Sequence, residues 1–441
     1  MSPRSVGATS AGDPYLPGHG NGGFRVERYE LDLDYRVSTN RLQGSAVIRA
    51  RSEQRLERFS LDLAKLRATK VRIAGARGTR FTQSTRKLVI TPAEPIPADT
   101  EFTVTVDYAG APGPVRSRWG AVGWEELDDG VLVASQPSGA PSWYPVNDRV
   151  DEKAAYGIRM SVDQAYTVVA NGVLVEHRIA AGRGLWHYEQ AEPTASYLAT
   201  LQLGRYVRRA LPGSAVPLTL AYPRAIERRV LGYVEPLPRM MAVFEEAFGA
   251  YPFPGYTVVV TPDPLEIPLE AQGLAIFGAN HADGSGESER LLAHELAHQW
   301  FGNSVGLRVW SDIWLNEGFA CYAEWIWSER SGRMSAAECA AVHHAALAAQ
   351  PQDLLLGDPG PVLMFDDRVY KRGALLLHAL RVELGDERFF ALLRLWTSRH
   401  RHQTATTADI RALAAEVAGR SLDPLFDTWL LQTPLPSRPP R

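Results

Sequence analysis

Between Phe24 and about Tyr206 the chain alternates apolar and polar residues with a period of two. Tyr29, Leu31, Leu33 and Tyr35 share one face, with Glu30, Asp32 and Asp34 opposite. The alternation returns at Phe59-Leu61-Leu63, at Phe102-Val104-Val106-Tyr108 and at Tyr156-Ile158-Met160-Val162. Turn-forming residues separate the runs: Ser38 to Asn40, Gly75 to Gly78, Gly110 to Gly113 and Asp128 to Gly130. Successive side chains of a strand point to opposite faces, so this pattern predicts half-buried antiparallel strands. After Leu211-Pro212-Gly213 the period changes. A strand over 217–222 leads to Leu237, Met240, Met241, Phe244 and Phe248, which recur at helical spacing. Strands over 256–261 and 274–277 follow, and from Gly286 to Gln432 nearly every segment reads as helix. The expected order is a tail over 1–23, a β domain over 24–208 and an α+β domain over 209–441. The tail is rich in Gly, Ser and Pro and predicts a flexible segment that packs little by itself.

Composition narrows the partners more than the fold. A chain of 441 residues with 45% hydrophobic content exceeds one ordinary core. The formal net charge of -3 offers no basic excess to neutralise phosphates, so nucleic acid is not an expected partner. No run approaches the ~18 apolar residues of a membrane helix, and the first 23 contain no apolar leader core. The expectation is a cytoplasmic protein without a membrane partner. Two cysteines, Cys321 and Cys339, make no disulfide framework and read as reduced thiols in a helical core.

The chemistry concentrates in His294-Glu295-Leu296-Ala297-His298, within an apolar-periodic stretch from Glu289 to Phe301 that Gly302-Asn303 can end. Residues four apart on a helix share a face, so His294 and His298 can bind one ion, with Glu295 one step round. After 18 intervening residues comes Glu317, in Asp312-Ile-Trp-Leu-Asn-Glu317-Gly. Asp312 is a candidate N-cap, which places Glu317 in the first turns of a second helix as third ligand. Three protein ligands and one open position are what catalytic zinc requires. Cys321, one turn on, could face the metal. Glu324, two turns beyond Glu317, can accept a hydrogen bond from a ligating imidazole.

These motifs resemble those of the M1 family of zinc aminopeptidases, the aminopeptidase N and leukotriene hydrolase group, over about 24–432. The zinc motif with its spacing carries the likeness, together with Trp143-Tyr-Pro-Val-Asn-Asp148 and Leu422-Asp-Pro-Leu-Phe-Asp-Thr-Trp-Leu430. The resemblance implies an N-terminal antiparallel β domain followed by a thermolysin-like (gluzincin) catalytic domain with a small sheet and a helical part. It implies one zinc ion per chain, with Glu295 as the base that activates water. Tyr370, in Tyr370-Lys-Arg-Gly-Ala, matches the tyrosine that stabilises the oxyanion, with Arg372 where the family has Lys. The family's Gly-x-Met-Glu-Asn motif aligns with Ile267-Pro-Leu-Glu270-Ala271, which keeps only the glutamate. Glu270 is then the carboxylate that pairs with a substrate's free α-ammonium group; Glu266 is its rival. Gln136 matches a glutamine reaching the substrate from the β domain.

Three readings of function follow. The leading one is an aminopeptidase acting on short peptides with a free amino terminus. A second is a specialised zinc hydrolase of one precursor peptide, amide or epoxide, motivated by the altered motif around Glu270. A third, a non-catalytic scaffold, is disfavoured because ligands and base are all present. Many members of the resembled family carry further domains after the catalytic one, so the expectation here is a cleft whose far wall is open or supplied by a second subunit of a homo-oligomer.

Overall fold

The computed structural model describes residues 5–283 and 288–438. The period-two segments form a seven-stranded sheet. Its strand order is Val173–Ala180, Arg183–Ala195, Lys153–Asp163, Phe24–Arg36, Arg41–Ser52, Glu101–Gly110, Arg67–Ile73. Tyr29, Leu31, Leu33 and Tyr35 are all buried on its inner face. That face packs on a five-stranded sheet (Trp124, Val131, Leu203) and a three-stranded one (Phe59, Leu88) to give one core. Each such side chain stabilises the fold by about 1.5–3 kcal/mol through burial. One pairing departs from the antiparallel expectation: Phe24–Arg36 runs parallel to Lys153–Asp163. Parallel neighbours need a long crossover, and the intervening residues build the three-stranded sheet and three strands of the five-stranded one.

The second unit has its own five-stranded sheet, ordered Tyr206–Leu211, Leu218–Pro223, Tyr256–Thr261, Leu274–Gly278, Leu269–Ala271. The expected division after residue 208 falls inside its first strand. No change of period marks that point, because strands lie on both sides. The strand Leu269–Ala271 is short, sits at the sheet edge and pairs antiparallel with Leu274–Gly278. The helix Leu237–Phe248 buries its apolar stripe, Leu237, Met240, Met241, Phe244 and Phe248, in the second core. Three further helices carry or adjoin the expected site residues: Glu289–Ala297, Trp314–Arg330 and Asp367–Leu384. Residues 286 and 287, where the helical stretch was expected to begin, lie outside the described residues. No described helix is long and apolar enough to cross a membrane.

The tail expectation is overturned for residues 5–23. Tyr15 and Leu16 are buried in the second core. The Tyr15 hydroxyl donates to Asp358 and accepts from the Gly360 N–H at 2.7 Å. Asp13 accepts from the Trp310 N–H at 3.0 Å, and Asn21 donates to Asp62 at 2.8 Å. The segment thus ties both units together through partners far away in sequence, which local composition cannot reveal.

Candidate metal centre

One helical turn separates His294 from His298, and their rings meet edge to face at 4.7 Å. Glu317 enters from the neighbouring helix. Its Oε2 lies 3.4 Å from Nε2 of His294 and 3.4 Å from Nε2 of His298. Asp312 does not cap that helix as expected. It lies in a preceding 3-10 turn, where its carboxylate accepts from the Thr407 hydroxyl and from the Thr407 N–H. What fixes the Glu317 helix is its crossing with the Tyr370 helix. A Cβ added at Gly318 would lie 2.8 Å from the Gly373 Cα, and one added at Gly373 would lie 2.7 Å from the Gly318 Cα. The two backbones touch, and any side chain at either glycine would force them apart.

The donor set fits a zinc ion. Bonds of about 2.1 Å directed to tetrahedral corners place ligand atoms about 3.4 Å apart, the spacing seen on both imidazoles. One ligand atom from each of the three buried residues lies within 4.8 Å of the other two. The far ring nitrogens are also placed: His294 Nδ1 is 2.8 Å from Glu324 Oε1, and His298 Nδ1 is 3.1 Å from the Phe301 carbonyl. With Nδ1–H donated to these acceptors, each Nε2 presents its lone pair to a cation. Without a cation, the same carboxylates favour protonated imidazoles, so a proton takes the place that a metal would fill. Burial alone would push His294 down, but the Glu317 and Glu324 carboxylates hold it up at about 10. Burial would raise Glu317, yet the two imidazoles bring it down to about 2. Such a pocket binds positive charge. Cys321 does not join the ligands; it is buried and accepts from Lys371 Nζ at 3.4 Å.

Around this cluster stand the other expected residues. Glu295 is buried on the same helix, and its Oε2 has no hydrogen-bond partner among the described residues. Burial, then Glu270 and Glu317, raise its pKa against the pull of the histidines. The Tyr370 ring stacks on His294 with centroids 6.0 Å apart. Burial and the neighbouring carboxylates hold its hydroxyl well above the usual tyrosine range, so it stays a donor. Gln136 Nε2, from the first unit, donates to Glu270 Oε1 at 2.7 Å. Burial raises the Glu270 carboxyl, His298 opposes this and Glu317 adds to it. Glu266 is exposed in the loop before this strand, as is Ile267. Arg372, the departure from the family's Lys, is buried and donates to the carbonyls of Leu354, Trp429 and Thr433, pinning the C-terminal segment.

Sequence reasoning missed several side chains here. Tyr197 is buried, its hydroxyl accepts from Asn316 Nδ2 at 3.4 Å, and burial and then Glu270 raise its pKa. Asn303 reads in the sequence only as part of a helix end and Gln299 carries no reading, although two amides in so apolar a stretch are a signal of internal hydrogen bonding.

Comparison with known proteins bears on this geometry. The Peptidase M1 N-terminal domain matches residues 25–198, and the Peptidase family M1 domain matches residues 233–429. The M1 zinc metallopeptidase of Deinococcus radiodurans is 29% identical, superposes with a TM-score of 0.88, and the alignment covers 98% of this chain and 99% of that one. A leucyl aminopeptidase of Saccharolobus solfataricus is 24% identical over 94% of this chain and 54% of its own length. A probable aminopeptidase 1 of Sulfurisphaera tokodaii is 23% identical over 93% of this chain and 53% of its own length. The chain thus spans about half the length of these curated relatives. Two family domains in order, the matching two-domain fold and a three-residue cluster that fits zinc lead to one conclusion: the chain belongs to peptidase family M1.

Proposed function

We propose that this chain is a zinc aminopeptidase that removes the first residue from short peptides. The observation that carries the reading is the Gln136–Glu270 pair beside the His294–His298–Glu317 cluster. A carboxylate next to a hydrolytic metal site gives a free amino terminus a place to dock. Gln136 occupies Glu270 Oε1, which leaves Oε2 for the α-ammonium group. The exposed Glu266 has no such setting. His294, His298 and Glu317 would hold zinc, which when bound would supply a Lewis acid and lower the pKa of a water at neutral pH. Glu295 takes the proton of the attacking water on its free Oε2 and passes it to the leaving amine nitrogen. Tyr370 donates its O–H to the substrate carbonyl oxygen as negative charge develops there. Glu324 holds the His294 ring in the orientation that aims Nε2 at the metal.

Related proteins support this substrate class. A variant of the M1 zinc metallopeptidase of Deinococcus radiodurans has been solved with a Tyr-Ser-Ala substrate, and a variant of a two-domain M1 zinc metallopeptidase with L-arginine. The test is a panel of aminoacyl amides, each paired with its N-acetylated form. Hydrolysis of the free amines and not of the acetylated ones is expected. Equal cleavage of both would replace this reading with an endopeptidase one.

A further inference from the structure

The edge strand that carries Glu270 is only three residues long and pairs with the sheet on one side. By itself it is a weak support for a group whose distance from the metal must be fixed, since useful site geometry requires about 0.5 Å. The histidine helix supplies the support. Gln299, the residue after His298, donates Nε2 to the Ala271 carbonyl at 3.1 Å and accepts the Gly273 N–H on Oε1 at 2.8 Å. Asn303 donates Nδ2 to the same Ala271 carbonyl at 3.0 Å. Both amides are fully buried. Lys153, from the first unit, donates Nζ to the carbonyls of Asn303 and Ser304, each at 2.7 Å. An unbroken path of short contacts therefore runs from His298 through Gln299 to Ala271 and Glu270, braced from the β domain at Asn303.

We infer that Gln299 and Asn303 are positioning residues that set the distance between the amine anchor Glu270 and the metal, and so restrict cleavage to the first residue. The inference rests on the reading of Glu270 as ammonium anchor. If the amides only satisfied buried polar groups, replacing them would weaken the whole fold together. If they act as a ruler, replacing them uncouples the amine end from the metal end while each end stays intact.

Binding to the zinc-loaded protein separates these cases without using turnover. The probes are L-leucine hydroxamate, which grips the metal and offers an α-ammonium group, and 4-methylpentanoyl hydroxamate, which lacks the amine. In the wild-type protein the amine should tighten Kd by about 10- to 100-fold, the worth of a hydrogen bond to a charged group. In Gln299→Met, similar in length but unable to make either bond, the amine increment should fall below about threefold. The Kd values for zinc and for the amine-free hydroxamate should stay unchanged. Asn303→Leu removes one of the two bonds to Ala271; it should lose part of the increment and decides the matter if Gln299→Met does not fold. An increment retained in full by folded, zinc-binding variants overturns the inference and leaves the anchor reading standing. A parallel loss of zinc affinity, amine-free binding and amine increment overturns it in favour of a purely structural role. No increment in the wild-type protein overturns the anchor and the ruler together.

Discussion

The metal end and the amine end of the site are built on opposite principles. The groups at the metal end come from three helices packed in the second unit, and two glycines in backbone contact set the crossing of the Glu317 and Tyr370 helices. His294, Glu295 and His298 share a single helical turn, so helix geometry alone aligns them. The amine end joins side chains 134 residues apart, one from each unit, on a loop and a three-residue strand. The metal end is set by closely packed backbone; the amine end is held by neighbouring side chains. On the proposed reading the chemistry sits on helices and the selection of substrate at the seam between units.

That contrast can be broken by substitution. Glu295→Gln removes the proton carrier and keeps the ligands. Turnover should fall by about a thousandfold or more with zinc content unchanged, measured by steady-state rates and metal analysis. A variant of normal rate would show that proton transfer runs elsewhere. Tyr370→Phe should lower kcat by about 100-fold with little change in KM, since its O–H acts on charge that develops only during reaction. Equal losses in binding and rate would argue against that role. At the amine end the losses should be smaller. Glu270→Ala should lower kcat/KM for free-amine substrates by about 10- to 100-fold, and Gln136→Ala by about 10-fold or less, because it only steadies one carboxylate oxygen. If Gln136→Ala exceeded Glu270→Ala, the glutamine would be the primary contact and the seam would need a different account.

The same contrast governs what the sequence reveals. Helical spacing exposes the metal end: His294, His298 and Glu317 converge, and Glu324 reaches His294 Nδ1 from two turns further on. The alternating pattern likewise exposes the strands of the first unit. Tyr370, Glu270 and Gln136 came from family likeness, since no local period ties a side chain in the β domain to a strand 134 residues away. Partnerships between polar residues and distant backbone stayed hidden for the same reason. Asp13, Tyr15 and Asn21 look like tail residues until Trp310, Asp358 and Asp62 are placed beside them. Asp312 looks like a helix cap, but Thr407, 95 residues on, claims its carboxylate. Gln299 and Asn303 look like a helix end until Ala271 arrives from across the fold.

All of this depends on one cation being shared by groups from two helices. The direct measurement is zinc stoichiometry after dialysis, for the wild-type chain and for Glu317→Ala. One zinc per wild-type chain is expected, with loss of most of the metal from the folded variant. Full zinc retention by Glu317→Ala, or a wild-type chain that binds none, would contradict the account.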